Sequence, residues 1–270
     1  MSNNLNQEGR ELLIHNLKEE KEVENKKPED EKEGELYNIQ RNLNEDSTYD
    51  KSVKVILLGD SMVGKSSVMN RLCNQTFDES IGPTICIEHY NYLIKVNDYT
   101  IRMQIWDTAG QEKYNSIINK YYANTDLAIY VYSIDNLESF HRIKDWMLCC
   151  EEKNAEKENN ETKNILLGNK KDLGDEMRKV SMYEAEKFSK NNNFLIFREI
   201  SCKNDDKEEI KNFLDIFDEI GKYYYLAKRK NSSQGNESLN YFASKSLIEM
   251  INSNEKEKGK KKKKKKKQCC

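Results

Sequence analysis

The sequence predicts an α/β protein built on a doubly wound, mostly parallel six-stranded sheet with one antiparallel edge hairpin. Three observations predict it. Short β-branched runs alternate with segments of helical periodicity from residue 51 to about 228. A glycine loop, Gly59-Asp-Ser-Met-Val-Gly-Lys-Ser66, lies directly behind the strand-like run Val53–Leu58 and opens a helix over Ser67–Cys73. Polar loops then follow later strands at the carboxyl edge, where open sheets of this kind bind ligands.

Each element has its own local signal. Ile87–Val96 and Tyr99–Ile105 flank Asn97-Asp98, a dipeptide suited to a tight hairpin, and this is the one antiparallel pair expected. Leu127–Ile134 is apolar on both faces, as a buried central strand must be. Asp135-x-x-Glu138 and Ser181-x-x-Glu184 are N-cap patterns that open two helices. Glu151–Lys163 reads as a polar loop before the strand Asn164–Gly168, and Phe194–Ile200 supplies the last strand. A helix over Asp206–Leu226, with Ile210, Phe213, Leu214, Phe217 and Ile220 on one face, closes the domain. The chain thus divides into an extension (1–50), a domain (51–228) and a tail (229–270).

Charge is distributed unevenly along these three parts. A third of the 270 residues are charged, yet the net charge is −2, because an acidic extension offsets a lysine-rich tail. In the extension, Leu12, Leu13, Ile14 and Leu17 suit one short amphipathic helix, and Glu19–Glu35 reads as solvated coil. The seven cysteines show no metal-ligand spacing, so reduced thiols are expected. No signal peptide or myristoylation glycine is present, and the longest apolar run is far shorter than the roughly 20 residues of a membrane span.

Four loops carry chemistry. The glycines of Gly59–Ser66 let several backbone N–H groups point into one concavity, at the positive end of the following helix. Lys65 places a charge on the outer phosphates, and the Ser66 hydroxyl suits Mg²⁺. Asp107, at a strand end within Trp106-Asp-Thr-Ala-Gly-Gln111, suits the same ion through water. Gly110 lets an N–H approach a terminal phosphate, and Gln111 has both the donor and the acceptor needed to orient an attacking water. In Asn169-Lys170-Lys171-Asp172, the carboxylate can accept from adjacent N–H groups of a guanine edge. In Ser201-Cys202-Lys203, the Cys202 N–H can donate to the guanine O6.

These four loops, together with Thr84 between the first two, resemble in order and spacing the five nucleotide-binding motifs of the Ras superfamily over roughly residues 51–225. Trp106–Tyr114, Tyr121-Tyr122, Glu138-Ser-Phe140 and the terminal Cys269-Cys270 are most similar to the Rab branch. The resemblance implies a small GTPase that binds GTP or GDP with Mg²⁺, hydrolyses GTP slowly, and acts as a membrane-anchored switch in vesicle traffic. It places nucleotide contacts at Gly59, Ser61, Val63, Gly64, Lys65, Ser66, Ser67, Phe77, Thr84, Gly110, Asn169, Lys170, Asp172, Ser201, Cys202 and Lys203. Metal contacts fall on Ser66, Thr84 and Asp107, and catalytic roles on Gln111, Lys65, Thr84 and Gly110. The switch segments are about 78–89 and 108–122. No arginine occurs between Leu72 and Ile101, so a GTPase-activating protein must supply the arginine finger, worth about 10³–10⁵ in rate. A guanine-nucleotide exchange factor, a GDP dissociation inhibitor, the Rab escort protein with its geranylgeranyl transferase, and effectors that read the switches are the further partners implied.

The tail adds a second functional signal. Lys260–Lys267 is an unbroken lysine run ahead of Gln268-Cys269-Cys270. Lysines alone suit an anionic membrane surface or a nucleic-acid-binding arm equally well. A basic patch plus lipid gives stable anchoring, and the resemblance implies geranylgeranylation of Cys269 and Cys270 on the cytoplasmic face of an intracellular membrane. With four guanine-site motifs present, no nucleic-acid partner is expected. Apolar residues from Leu239 to Ile251 either dock on escort proteins or pack back on the domain. Met62, Cys86, Glu88, His89 and Cys202 depart from the family pattern. His89, Trp106 and Tyr121 occupy the family's effector-reading aromatic triad, and a histidine there is read as a surface residue with no pH role.

Overall fold

The computed structural model describes residues 37–44, 46–80, 82, 84, 88–107, 121–155 and 162–232, with side chains as far as Arg229. Seven strands make one sheet: β1 (Ile39–Arg41), β2 (Lys51–Leu58), β3 (Glu88–Val96), β4 (Tyr99–Asp107), β5 (Leu127–Ser133), β6 (Lys163–Asn169) and β7 (Ile196–Glu199). Their order is β1-β3-β4-β2-β5-β6-β7. β2 pairs in parallel with β4 and β5, and β6 joins β5 to β7, also in parallel. The β3–β4 pair is the expected antiparallel hairpin, and it turns at Asn97, whose φ of 55° suits the tight reversal.

Helices α1 (Lys65–Asn74), α2 (Leu137–His141), α3 (Ile143–Asn154), α5 (Met182–Asn191) and α6 (Lys207–Ser232) pack on the sheet, while the short α4 (Gly174–Met177) buries no residue. Strand parity decides which layer each side chain enters. Ile56 and Leu58 turn to one face, where they cluster with Tyr130, Tyr132, Phe140, Trp146 and Leu166. Val55 and Leu57 turn to the other. On that face Tyr92, Ile94 and Val96 of β3 meet α6, with Tyr92 and Phe217 rings 6.1 Å apart. All seven residues of β5 are buried, as its apolar composition requires.

The structure differs from the sequence reading in four places. β1 lies within the residues read as extension; it makes a seventh strand and a second antiparallel pair, Ile39↔Val96 through Arg41↔Ile94. Arg41 anchors it to α6, donating from Nε to Asp218 (2.8 Å) and from Nη2 to Asp218 and Asp215 (2.6 and 3.1 Å). Helix α3 continues through Glu151 to Asn154, whose side-chain amide donates to Tyr122 O and Cys150 O at 2.8 Å each and ties the helix end to the segment before β5. α2 is capped by Asn136, not Asp135: Asn136 Oδ1 accepts from Ser139 N, while Asp135 is engaged by Ser133 Oγ. Lastly, α6 runs to Ser232, beyond Leu226. The Ser181–Glu184 capping box forms as expected.

Among the described residues no helix is long and apolar enough to cross a membrane. Cys73, Cys149, Cys150 and Cys202 are free thiols. Burial pushes the Cys73 and Cys150 thiols up to about 11 and Cys202 up to about 12, so all three stay protonated and unreactive near neutral pH.

Candidate nucleotide site

Strand β2 delivers the chain to Gly59, and α1 begins at Lys65; the six residues between form the phosphate loop. Two of its glycines are steric necessities. Gly59 has φ 143°, and a Cβ there would stand 2.1 Å from Val131 O. Gly64 has φ 97°, and a Cβ would stand 2.2 Å from the Asn169 amide. Met62 also has a positive φ, 64°, which is uncommon for a residue with a side chain; that side chain points outward and is 65% exposed. Asp60 faces away from the helix start, where it accepts from Trp146 Nε1 at 2.9 Å and lies 3.4 Å from Arg142 Nε. This anchor pins the loop to α3.

Lys65 is buried, and its ammonium curls back over the loop to donate to Gly59 O and Asp60 O at 2.8 Å each. Three oxygens converge beside it. Ser66 Oγ donates to Asp107 Oδ2 at 2.5 Å and lies 2.6 Å from Thr84 Oγ1. Asp107 is fully buried, and its second oxygen, Oδ1, has no hydrogen-bond partner. Burial raises its pKa above the usual carboxylate value, opposed by the Ser66 hydrogen bond and the Lys65 charge. A buried carboxylate oxygen without a partner is costly unless something fills its lone pairs. The hard oxygen set of Ser66, Thr84 and Asp107 suits a small divalent cation. Among the described residues no cluster of three His, Cys, Asp or Glu side chains occurs, so any ion here needs ligands from elsewhere.

The side of the site expected to face the base is built from the ends of β6 and β7. Asn169 is the keystone: its Nδ2 donates to Val63 O at 2.9 Å, and its Oδ1 accepts from Cys202 N at 3.3 Å. It thereby ties the phosphate loop to the loop at Ser201–Lys203. Asp172 Oδ1 accepts from Ser201 Oγ at 2.6 Å, which orients the carboxylate. Lys170 adopts φ 68° and lies 4.0 Å from Asp135. Phe77 is partly buried after α1.

Arg71 was not expected to matter. It is 1% exposed and holds the base loop from behind, donating from Nε and Nη2 to Cys202 O, from Nη1 to Gln75 O at 3.0 Å, and pairing with Asp205 at 2.8 Å. Its signal in the sequence was an arginine three residues after Val68, on the apolar face of α1. His89 and Trp106 rings are 4.6 Å apart, and Trp106 and Tyr121 5.4 Å, so the three expected aromatics do form one surface. Gly110, Gln111, Cys86, Cys269, Cys270 and the segment from Leu239 to Ile251 lie outside the described residues.

A separate polar groove of about 390 Å³ lies between β7 and α6. Its carboxylates Glu199, Glu209, Asp215 and Glu219 already pair with Arg178, Lys171, Arg41 and Arg198. It therefore offers no spare charge to a ligand.

The fold and this arrangement of loops define the class: a profile of the Ras family matches residues 54–222. Curated relatives narrow it. Ras-related protein Rab-11B of Dictyostelium discoideum is 34% identical over 197 residues, 71% of this chain and 86% of the relative. RABF2a of Arabidopsis thaliana is 41% identical over 171 residues, 63% and 80% of the two chains, and rat Rab-9A is 37% identical over 150, 56% and 74%. The chain belongs to the Rab small GTPases, and it is a GTP hydrolase of that family. Relatives of several Rab types match at similar identity, so the subfamily is left open by them.

Proposed function

We propose that this GTPase holds GTP or GDP with Mg²⁺, hydrolyses GTP slowly unaided, and works as a membrane-anchored switch in vesicle traffic. The observation that carries the reading is the convergence of Ser66, Thr84 and Asp107 on one point with a carboxylate oxygen left unpartnered. Mg²⁺ binds through one or two carboxylates, waters and substrate phosphates, which fits this sparse donor set. Ser66, Thr84 and Asp107 would hold the ion, and it would supply positive charge against the phosphates.

The chain's own residues do the rest. Loop N–H groups at Ser61, Val63, Gly64, Lys65, Ser66 and Ser67 cradle the phosphates, and Lys65 turns its ammonium from the two carbonyls toward them. Asp172, held by Ser201, accepts from the guanine edge; Asn169, Lys170, Cys202, Lys203 and Phe77 line the base. Thr84 and Gly110 close on the terminal phosphate, which orders the two switch segments that effectors read. Gln111 orients the attacking water. Replacement of Gln111 by leucine keeps GTP affinity and slows single-turnover hydrolysis at least about tenfold, a loss of positioning; unchanged hydrolysis would refute the role.

Anchoring rests on the tail. Lys260–Lys267 meets anionic lipid at roughly 1 kcal/mol per lysine, and lipid on Cys269 and Cys270 makes the attachment stable. Exchange factor, activating protein, escort protein with its transferase, and GDP dissociation inhibitor are the partners such a cycle needs. Serine at both cysteines moves the protein from the membrane pellet to the supernatant; retention in the pellet would remove the lipid role.

A further inference from the structure

Two turns from distant parts of the chain meet beside the base loop. The first follows α1. Asp78 Oδ1 accepts from Ser80 N at 2.8 Å and from Ser80 Oγ at 2.6 Å, a closed Asx turn that presents Glu79 between them. The second is the base loop itself. Arg71 holds Cys202 O and Asp205 from behind, and Ser201 Oγ accepts from Asn204 N at 3.0 Å, so Lys203 projects from a fixed turn. Lys203 Nζ and Glu79 Oε1 form an ion pair, although both side chains are more than half exposed.

Phe77 lies two residues before Glu79, and Ser201 and Cys202 precede Lys203. The ion pair therefore joins the two sides of the proposed base site at its solvent edge. We infer that Glu79 and Lys203 form a strap across the mouth of the base site and set how fast bound nucleotide leaves. This rests on the guanine-site reading above. Glu79 is a positioning residue, acting through Lys203. Pairing with Glu79 raises the Lys203 pKa above its ordinary value, so the lysine carries its charge across the neutral range.

An exposed pair is weak and screened by salt, and this makes the strap a tuner rather than a lock. The test uses full-length protein loaded with a fluorescent, non-hydrolysable GTP analogue and Mg²⁺, chased with excess GTP at low and high salt. Wild-type release should rise about two- to fivefold at high salt. Glu79→Gln should release at the fast rate in both conditions. Glu79→Lys should release faster still at low salt and slow down as salt screens the repulsion. That inversion is a readout that a merely structural role would not produce. Wild-type release rates for Glu79→Gln at low salt, or the same salt response in all three proteins, would overturn the strap alone. Failure of the wild type to retain the analogue would overturn the base-site reading and the strap with it.

Discussion

Met62 shows how a single residue can be tolerated at a cost. The backbone at this position is left-handed, with φ 64°, and a side chain there carries roughly 1–2 kcal/mol of strain. The sequence signalled the departure, since Met62 replaces the small residue usual in the family. It also allowed the resolution, an outward side chain, which the structure adopts. Met62→Gly should stabilise the protein by about 0.5–1 kcal/mol once the extra freedom of unfolded glycine is subtracted. Denaturant unfolding at one fixed concentration of GDP and Mg²⁺ checks this; equal or lower stability would show that the loop relaxes around methionine without strain. Other single residues could not be read in advance. Asn169 looked like a base contact, yet in the structure it also binds two loops together, and only the three-dimensional approach of Val63 O and Cys202 N gives it that second role.

At the scale of elements, the strongly patterned ones were legible and the weakly patterned ones were not. The run Leu127–Ile134, apolar on both faces, identifies β5, and the Ser181–Glu184 box identifies the start of α5. β1 had no such pattern. It is three residues long, Ile-Gln-Arg, two of them exposed, and it exists because an edge of β3 and two carboxylates on α6 await it. Tertiary partners decide such a strand, not propensity. Its main anchor is the fork of Arg41 on Asp218, a carboxylate 10% exposed, and the partnership raises the arginine's pKa further. The pair lies between exposed and buried extremes, so Arg41→Ala should cost about 1–3 kcal/mol. Hydrogen exchange of the Asn97 amide, which donates to Asn38 O at 2.8 Å, should accelerate in the same variant. A loss below about 0.5 kcal/mol, within the range of surface pairs, would mean that backbone pairing alone holds β1. The end of α3 was misread for a related reason: the Asn154 side chain bonds Tyr122 O, a backbone group that only the fold brings near. The start of α2 was a local choice between two adjacent cap residues, and Asn136 makes the bond to Ser139 N.

For the molecule as a whole, one sheet edge gathers loops that are far apart in sequence. The ends of β2, β4, β6 and β7 supply the phosphate loop, Asp107, Asn169 and the Ser201–Lys203 turn, as parallel strand order requires. Their spacing made the site readable from sequence, because each motif stands directly after a strand. What spacing could not show was the scaffold behind them: Arg71 under the base loop, and Trp146 and Arg142 on Asp60. The central claim is a pocket selective for a guanine triphosphate with Mg²⁺, and calorimetry on nucleotide-free protein tests it most directly. GTP should bind tightly only with Mg²⁺ present, and ATP should give no measurable heat of binding; equal, weak affinity for both nucleotides would contradict it.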